Sequence, residues 1–152
     1  MKKLFIALMA VCVLVSCGGS DNSAAGSADS KTSENSTKEK TPGTLLQSAA
    51  DLMNEFANGV ERASSAEQVV VAVEKLAAGF GTLMNEYADK REEFKKIPDE
   101  EVWSKYSNES AAVEKAMKRM QTLPEPDFEF SDSQENRMEE AMQKFYATIQ
   151  DL

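Results

Sequence analysis

The fold is decided by residues 69–84, which read VVVAVEKLAAGFGTLM. Only Glu74, Lys75 and Thr82 are polar in this stretch, so a helix formed here is apolar on nearly every side. Such a helix has to contact several neighbours, because each apolar face must be covered. We predict a central helix over Ser65–Lys96. Its apolar stripe has three- and four-residue spacing and consists of Val69, Val73, Leu76, Phe80, Leu83, Tyr87 and Phe94.

Two glycines, Gly79 and Gly81, flank Phe80 inside this predicted helix. Each costs about 1 kcal/mol relative to Ala in a helix interior, so a structural reason for them is expected. We favour tight packing against a neighbouring helix of the same bundle. The alternative is a close backbone approach to a ligand or to a partner helix.

A first helix precedes the central one. Apolar residues recur at helical spacing over residues 44–63. Ser64 and Glu67 then stand three residues apart, the spacing of a capping box, and predict a new helix start. The alternative is one continuous helix with a kink near Asn58-Gly59.

Two further helices are predicted after the central one. Pro98 interrupts the chain, and Asp99 can cap a third helix. Ser131 and Gln134 form a second candidate capping box, at the start of the last helix. Residues 44–152 are therefore predicted to form an all-α domain, a small antiparallel bundle of about four helices.

The amino terminus has the layout of a removable signal peptide. Lys2 and Lys3 are followed by the apolar run 4–15, and then by Ser16 and Cys17. Twelve apolar residues make about 18 Å of helix, which is short of the ~30 Å that a membrane-spanning helix needs. The length and the flanking residues fit a removed signal and not a membrane span.

The stretch Leu14-Val15-Ser16-Cys17 resembles the lipobox of bacterial lipoproteins. This resemblance covers residues 1–17 and implies signal cleavage between Ser16 and Cys17. It also implies lipidation of the Cys17 thiol and membrane anchoring through acyl chains such as palmitate. The alternative, an ordinary secretory signal, would leave Cys17 as an unpaired thiol in an oxidising compartment, because Cys12 is removed with the signal.

The predicted organisation has three parts: a signal peptide over 1–16, a lipidated and disordered Ser-rich tether over 17–43, and the bundle over 44–152. A flexible tether of this length has a root-mean-square reach of roughly 25–30 Å. Gly18, and not Asp, follows the lipidated position. Among bacterial lipoproteins this implies the outer membrane of the cell envelope in preference to the inner membrane.

The composition excludes several classes of function. After removal of the signal, 26 acidic and 15 basic side chains remain, a net charge of −11. Nucleic acid is therefore an unsuitable partner, because phosphate contacts require clusters of Lys and Arg. The chain has no His, and Cys17 is the one Cys outside the signal. We therefore expect no catalytic residues, no metal site and no cofactor.

Three interpretations of function follow. We favour an interaction or scaffold role, in which the domain presents a helical face to another envelope protein. Trp103 and Tyr106 are candidate contacts, because aromatic residues with a polar tip suit interfaces, and Val70 and Val71 are candidates on the central helix. For Trp103 and Tyr106 we favour the other interpretation, that they cap one end of the core.

The second interpretation is a bundle that binds an apolar or cationic small molecule between its helices. Six Met from Met53 onward would allow an adaptable cavity, although Met at core spacing is more often core. The third is an enzyme, which we disfavour. The adjacent acid pairs 92/93, 100/101 and 139/140 each point to two helix faces, whereas acid-pair catalysis needs carboxyls that converge.

Overall fold

The computed structural model describes residues 39–150, and it describes side chains as far as Thr148. Within that range the chain forms six α-helices and no strand. The helices are α1 (Pro42–Glu61), α2 (Ala66–Glu86), α3 (Arg91–Phe94), α4 (Asp99–Lys105), α5 (Ser107–Gln121) and α6 (Asp132–Gln150), with a 3-10 turn at Ala88–Lys90. The predicted all-α bundle is confirmed, with four long helices and two short ones.

The long helices pack in the order α5–α1–α2–α6. α1 and α2 form an antiparallel hairpin, because Leu52 lies against Gly79 while Gly59 lies against Ala72. Successive long helices alternate in direction along the chain. Each outer helix nevertheless runs parallel to the inner helix that it contacts, as the following contacts show.

Contacts at both ends of the outer helices establish these parallel pairings. The Tyr106 ring, just before α5, packs on Gly43 at the start of α1, and Arg119 near the end of α5 bonds Glu61 at the end of α1. In the same way Arg137 of α6 bonds Glu67 near the start of α2. Nearly two turns before the end of α2, the rings of Phe80 and Phe145 meet edge to face at 5.0 Å. The predicted central helix is thus one of two inner helices.

The apolar stripe of α2 is buried as predicted: Val69, Val73, Leu76, Phe80 and Leu83 are all less than a tenth exposed. Small residues fill the α1–α5 contact, where Ala50 and Ala116 are fully buried beside Val113. Small side chains let helix axes approach closely, which brings more of the neighbouring side chains into contact. No helix within residues 39–150 is long and apolar enough to cross a membrane.

α1 begins two residues earlier than predicted, at Pro42. A reciprocal capping box fixes this start, since the Thr44 N–H donates to Thr41 Oγ1 at 3.1 Å and the Thr41 N–H donates to Thr44 Oγ1 at 2.9 Å. Proline suits the first helical position because its missing N–H would have no partner there.

The predicted capping box at Ser64 and Glu67 is wrong by one residue. Ser65 is the N-cap of α2 and accepts from the Gln68 N–H at 3.4 Å. The side-chain oxygen Oε1 of Gln68 in turn accepts from the Ser64 N–H at 2.7 Å. A non-helical turn separates α1 from α2, so the alternative of one continuous kinked helix is also wrong.

α2 ends at Glu86 and not near Lys96. Two tertiary contacts fix the path of the chain after Glu86. The Tyr87 hydroxyl donates to Thr44 Oγ1 at 2.9 Å, and Asp89 pairs with Lys40 at 2.8 Å. The predicted third helix is likewise broken, at Tyr106, into α4 and α5. Its cap is Pro98 without a side-chain hydrogen bond, so the predicted capping role of Asp99 is wrong.

The predicted start of the last helix is close to the observed one. α6 begins at Asp132, directly after Ser131. Half of the predicted capping box forms: the Ser131 N–H donates to Gln134 Oε1 at 3.0 Å, while the Gln134 N–H bonds the Ser131 carbonyl and not its hydroxyl.

Candidate functional site

A groove runs along the α1–α2 hairpin in the described part of the chain, with a volume of about 790 Å³. We call it the α1–α2 groove. It is lined by Leu52, Glu55, Phe56, Asn58, Gly59, Arg62, Glu67, Gln68, Val71, Ala72, Lys75, Leu76 and Gly79. Apart from Arg62, the C-cap of α1, all of these residues come from the two inner helices.

The floor of the groove is apolar. Phe56, Ala72 and Leu76 are buried, whereas Leu52 and Val71 are half-buried and leave apolar surface accessible. Apolar surface that stays accessible beside a buried core is a favourable contact for a partner.

Two glycines set the depth of this floor. A Cβ on Gly79 would lie 2.5 Å from Leu52 Cδ2, and a Cβ on Gly59 would lie 3.0 Å from Ala72 Cβ. Both glycines therefore permit the close α1–α2 approach that sequence analysis favoured for Gly79. The tight packing predicted for Gly81 is wrong, because a Cβ on Gly81 would have no atom within 4 Å.

The rim of the groove carries charges of both signs. Glu55, Arg62 and Lys75 are exposed, and their side chains form no hydrogen bond or ion pair with residues 39–150. Other Arg side chains near this hairpin are engaged: Arg119 and Arg137 both bond carboxylates of α1 or α2. The three rim charges are therefore available to a partner.

The two engaged arginines hold the outer helices in register. Arg137 forms a two-point contact with Glu74, at 2.8 Å for each nitrogen–oxygen pair, and reaches Glu67 at 2.7 Å. Hydrogen bonds from the Arg137 guanidinium lower the pKa of both carboxyls below the usual 4.5, and they raise the pKa of Arg137. Arg119 lowers the pKa of Glu61 in the same way.

The residues that sequence analysis proposed for contacts are dispersed. Trp103 is 38% exposed on α4, and Tyr106 is half-buried against Gly43 with the Lys105 amine 5.5 Å from its ring centroid. Val70 is fully buried, so its side chain cannot reach a partner in this fold. Val71 lines the α1–α2 groove.

Sequence reasoning did not identify most of the groove, because its lining alternates between two helices whose register was unknown. Glu55 on α1 and Arg62 at its C-cap lie seven residues apart, and Lys75 follows Val71 by one turn on α2. This spacing is visible in the sequence, but the antiparallel pairing that joins the two faces is not.

The predicted anchor residues, Ser16 and Cys17, lie outside the described residues. Residues 39–150 contain no group of three carboxylate, His or Cys side chains close enough to hold a metal ion.

No family model matches the chain, and no curated protein or solved structure matches it either.

Proposed function

We propose that this protein is a lipid-anchored lipoprotein of the bacterial cell envelope whose helical domain has a non-catalytic role, binding a protein partner through the α1–α2 groove. The observation that carries the proposal is the groove itself, with its accessible apolar floor and its uncommitted rim charges. A groove between two helices is a common docking place for an amphipathic helix, whose apolar face fills the floor while its flanks meet the rim.

The anchor part of the proposal rests on the lipobox-like Leu14-Val15-Ser16-Cys17. Gly18 after the lipidated position supports the outer membrane over the inner one. A Cys17→Ser variant should remain uncleaved or become soluble, because no acyl chain can then be attached. Fractionation of cell envelopes checks this, and a Cys17→Ser protein that is still processed and membrane-bound would refute the anchor.

Photo-crosslinking in living cells tests the docking role. A photoreactive amino acid at Val71 lies in the groove, and the same amino acid at exposed Ala111 on α5 serves as the matched control. We expect a discrete protein adduct from position 71 and none of the same mass from position 111. Equal adducts from both positions, or none from either, would contradict docking at the groove.

A second candidate function is the binding of an apolar or cationic small molecule at the same place. The groove volume of about 790 Å³ lies within the range of roughly 300–1,000 Å³ that is typical of ligand sites. A ligand that binds the folded state raises the melting temperature by mass action. A shift in melting temperature with membrane lipids or cationic metabolites that Lys75→Glu alters would support this role over docking.

A further inference from the structure

The charged groups on the rim of the α1–α2 groove follow an alternating pattern. On α1, acidic Glu55 precedes basic Arg62 by seven residues, about 10 Å along the helix. On α2, basic Lys75 lies level with Glu55, and acidic Glu67 lies toward the end where Arg62 is found. This register follows from the Leu52–Gly79 and Gly59–Ala72 contacts of the antiparallel hairpin. Each of the two helices therefore contributes one acidic and one basic side chain to the rim. Along the groove, the order of the acid and the base on α1 is the reverse of their order on α2.

This pattern is complementary to itself. A two-fold axis that runs along the groove places α1 of one copy over α2 of the other. Glu55 then faces Lys75 of the second copy, and Arg62 faces Glu67 of the second copy, whose carboxylate also binds Arg137 of its own chain. Two-fold interfaces use the same patch on both subunits, so each of these contacts occurs twice. We propose that the occupant of the groove is a second copy of this chain, related by such an axis. This proposal rests on the docking role proposed above and names its partner.

The charge of the rest of the molecule favours this face for self-association. The chain beyond the signal carries a net charge of −11, so two copies repel each other overall. The rim of the groove has no excess of acid, because Arg62 and Lys75 stand against Glu55 there, while the remaining rim acid, Glu67, is already paired with Arg137. A second copy thus meets apolar surface there without a net electrostatic cost.

The proposed anchor agrees with this orientation. A two-fold axis along the groove keeps the starts of both α1 helices at the same end of the dimer. Both predicted tethers then join the dimer at that same end. An axis across the groove would also oppose unlike charges, Glu55 against Arg62 of the second copy, but it would place the two tethers at opposite ends.

The available area indicates a weak, reversible dimer. The 20 residues of α1 span about 30 Å, and two helices side by side are roughly 20 Å wide, which gives about 600 Å² per copy. The total of about 1,200 Å² lies at the lower end for specific protein interfaces. Anchoring in one membrane raises the effective concentration of copies and so compensates for weak contacts.

The test uses the full chain in cells, with the photoreactive amino acid at Val71 and two differently tagged copies. We expect an adduct that carries both tags. Glu55→Arg should reduce its yield about tenfold, because two like-charge contacts replace two favourable ones. Adding Lys75→Glu should restore the yield, since the pair is then reversed and not lost. Glu114→Arg, an exposed site on α5, is the matched control and should leave the yield unchanged.

The possible outcomes separate this inference from the docking role. An adduct with a different protein would overturn the second copy as occupant while supporting docking at the groove. No adduct of any kind would overturn both. An adduct that Glu55→Arg does not weaken would overturn the charge pairing. Restoration by Arg62→Glu in place of Lys75→Glu would overturn the orientation, because that pair belongs to the axis across the groove.

Discussion

At the near end of the bundle, where α1 begins and α2 finishes, the helices are joined by hydroxyl and aromatic contacts, whereas at the far end arginine–carboxylate pairs join them. Near-end contacts are the Tyr87–Thr44 hydrogen bond and the Tyr106 ring on Gly43, together with one exposed ion pair between Lys40 and Asp89. Far-end contacts are those of Arg119 and Arg137, whose side chains are about a third exposed. Buried contacts contribute more than exposed pairs do, so the near end should respond more strongly to substitution.

The near end is also where the long helices give way to short ones. Between Glu86 and Ser107 the chain forms a 3-10 turn, α3 and α4, none of which contains a buried residue. With so little packing of its own, this stretch depends on the few contacts that Tyr87, Asp89 and Tyr106 make to the start of α1. We therefore predict that these few contacts, and not helix propensity, hold this stretch against the start of α1.

The largest effect is expected from Gly43→Ala at the near end. A Cβ at this position would lie 2.8 Å from Tyr106 Cε1, closer than packed atoms come, so the ring or the start of α1 must move. Overpacking of this kind costs about 2 kcal/mol in the free energy of unfolding, which urea denaturation would measure. In a Tyr106→Ala background the same substitution should be neutral or stabilising, and a cost that persists there would contradict the ring clash.

Tyr87→Phe should lower the free energy of unfolding by about 1 kcal/mol. The change removes only the hydrogen bond to Thr44 Oγ1 and leaves the buried ring and its contact with Phe94 in place. Thermal unfolding of Tyr87→Phe, Thr44→Val and the double variant gives the coupling energy between the two side chains. Strict additivity would mean that the hydrogen bond does not hold the near end together.

Gly81→Ala should stabilise α2 close to the near end by roughly 0.8 kcal/mol. A Cβ there meets no atom within 4 Å, and Ala is a better helix former than Gly. Gly79→Ala is the matched control, because its Cβ would lie 2.5 Å from Leu52 Cδ2. Denaturation midpoints should rise for Gly81→Ala and rise less, or fall, for Gly79→Ala. Equal gains would show that the α1–α2 approach does not require Gly79.

Arg137→Gln at the far end should have the smallest effect at neutral pH, since the ion pairs are exposed. The pKa values of Glu67 and Glu74 are lowered in the folded state, so the stability they contribute is present above pH 4.5 and is lost as the pH falls through the folded pKa values. The difference between the denaturation midpoints of the native protein and of Arg137→Gln should therefore shrink as the pH falls through the folded pKa values of the two carboxyls. Lys115→Gln, an exposed control on α5, should show no such convergence.

The sequence predicted what local patterns encode. Spacing within one helix predicts the apolar stripe of α2, the Ser131–Gln134 capping box and the all-α class. The structure confirms the stripe and the class, and it contains half of the capping box. The end of α2 could not be predicted in this way. It depends on Tyr87 reaching Thr44, 43 residues earlier, and on Asp89 reaching Lys40, 49 residues earlier.

The groove was predicted less completely than the fold for the same reason. Val71 was a candidate contact, but Val70 was grouped with it, although a helix turns about 100° between them and places one in the core. Glu55 and Arg62 became candidates only when the hairpin register placed them opposite Lys75 and Glu67. A register of this kind is tertiary information, which a single chain sequence does not display.

The parallel pairing of outer and inner helices has a consequence for how the chain folds. Bonds between α1 and α5 join residues 58 to 65 positions apart, and those between α2 and α6 join residues 63 to 70 positions apart. Only the α1–α2 hairpin closes a short loop. Because loop-closure entropy must be overcome before distant contacts form, we expect this hairpin to nucleate folding, with the outer helices docking after the rate-limiting step. Phi values would then be high for α1–α2 contacts and low for Phe145. We expect such a bundle to fold more slowly than one in which the helices that contact each other are also consecutive in the sequence.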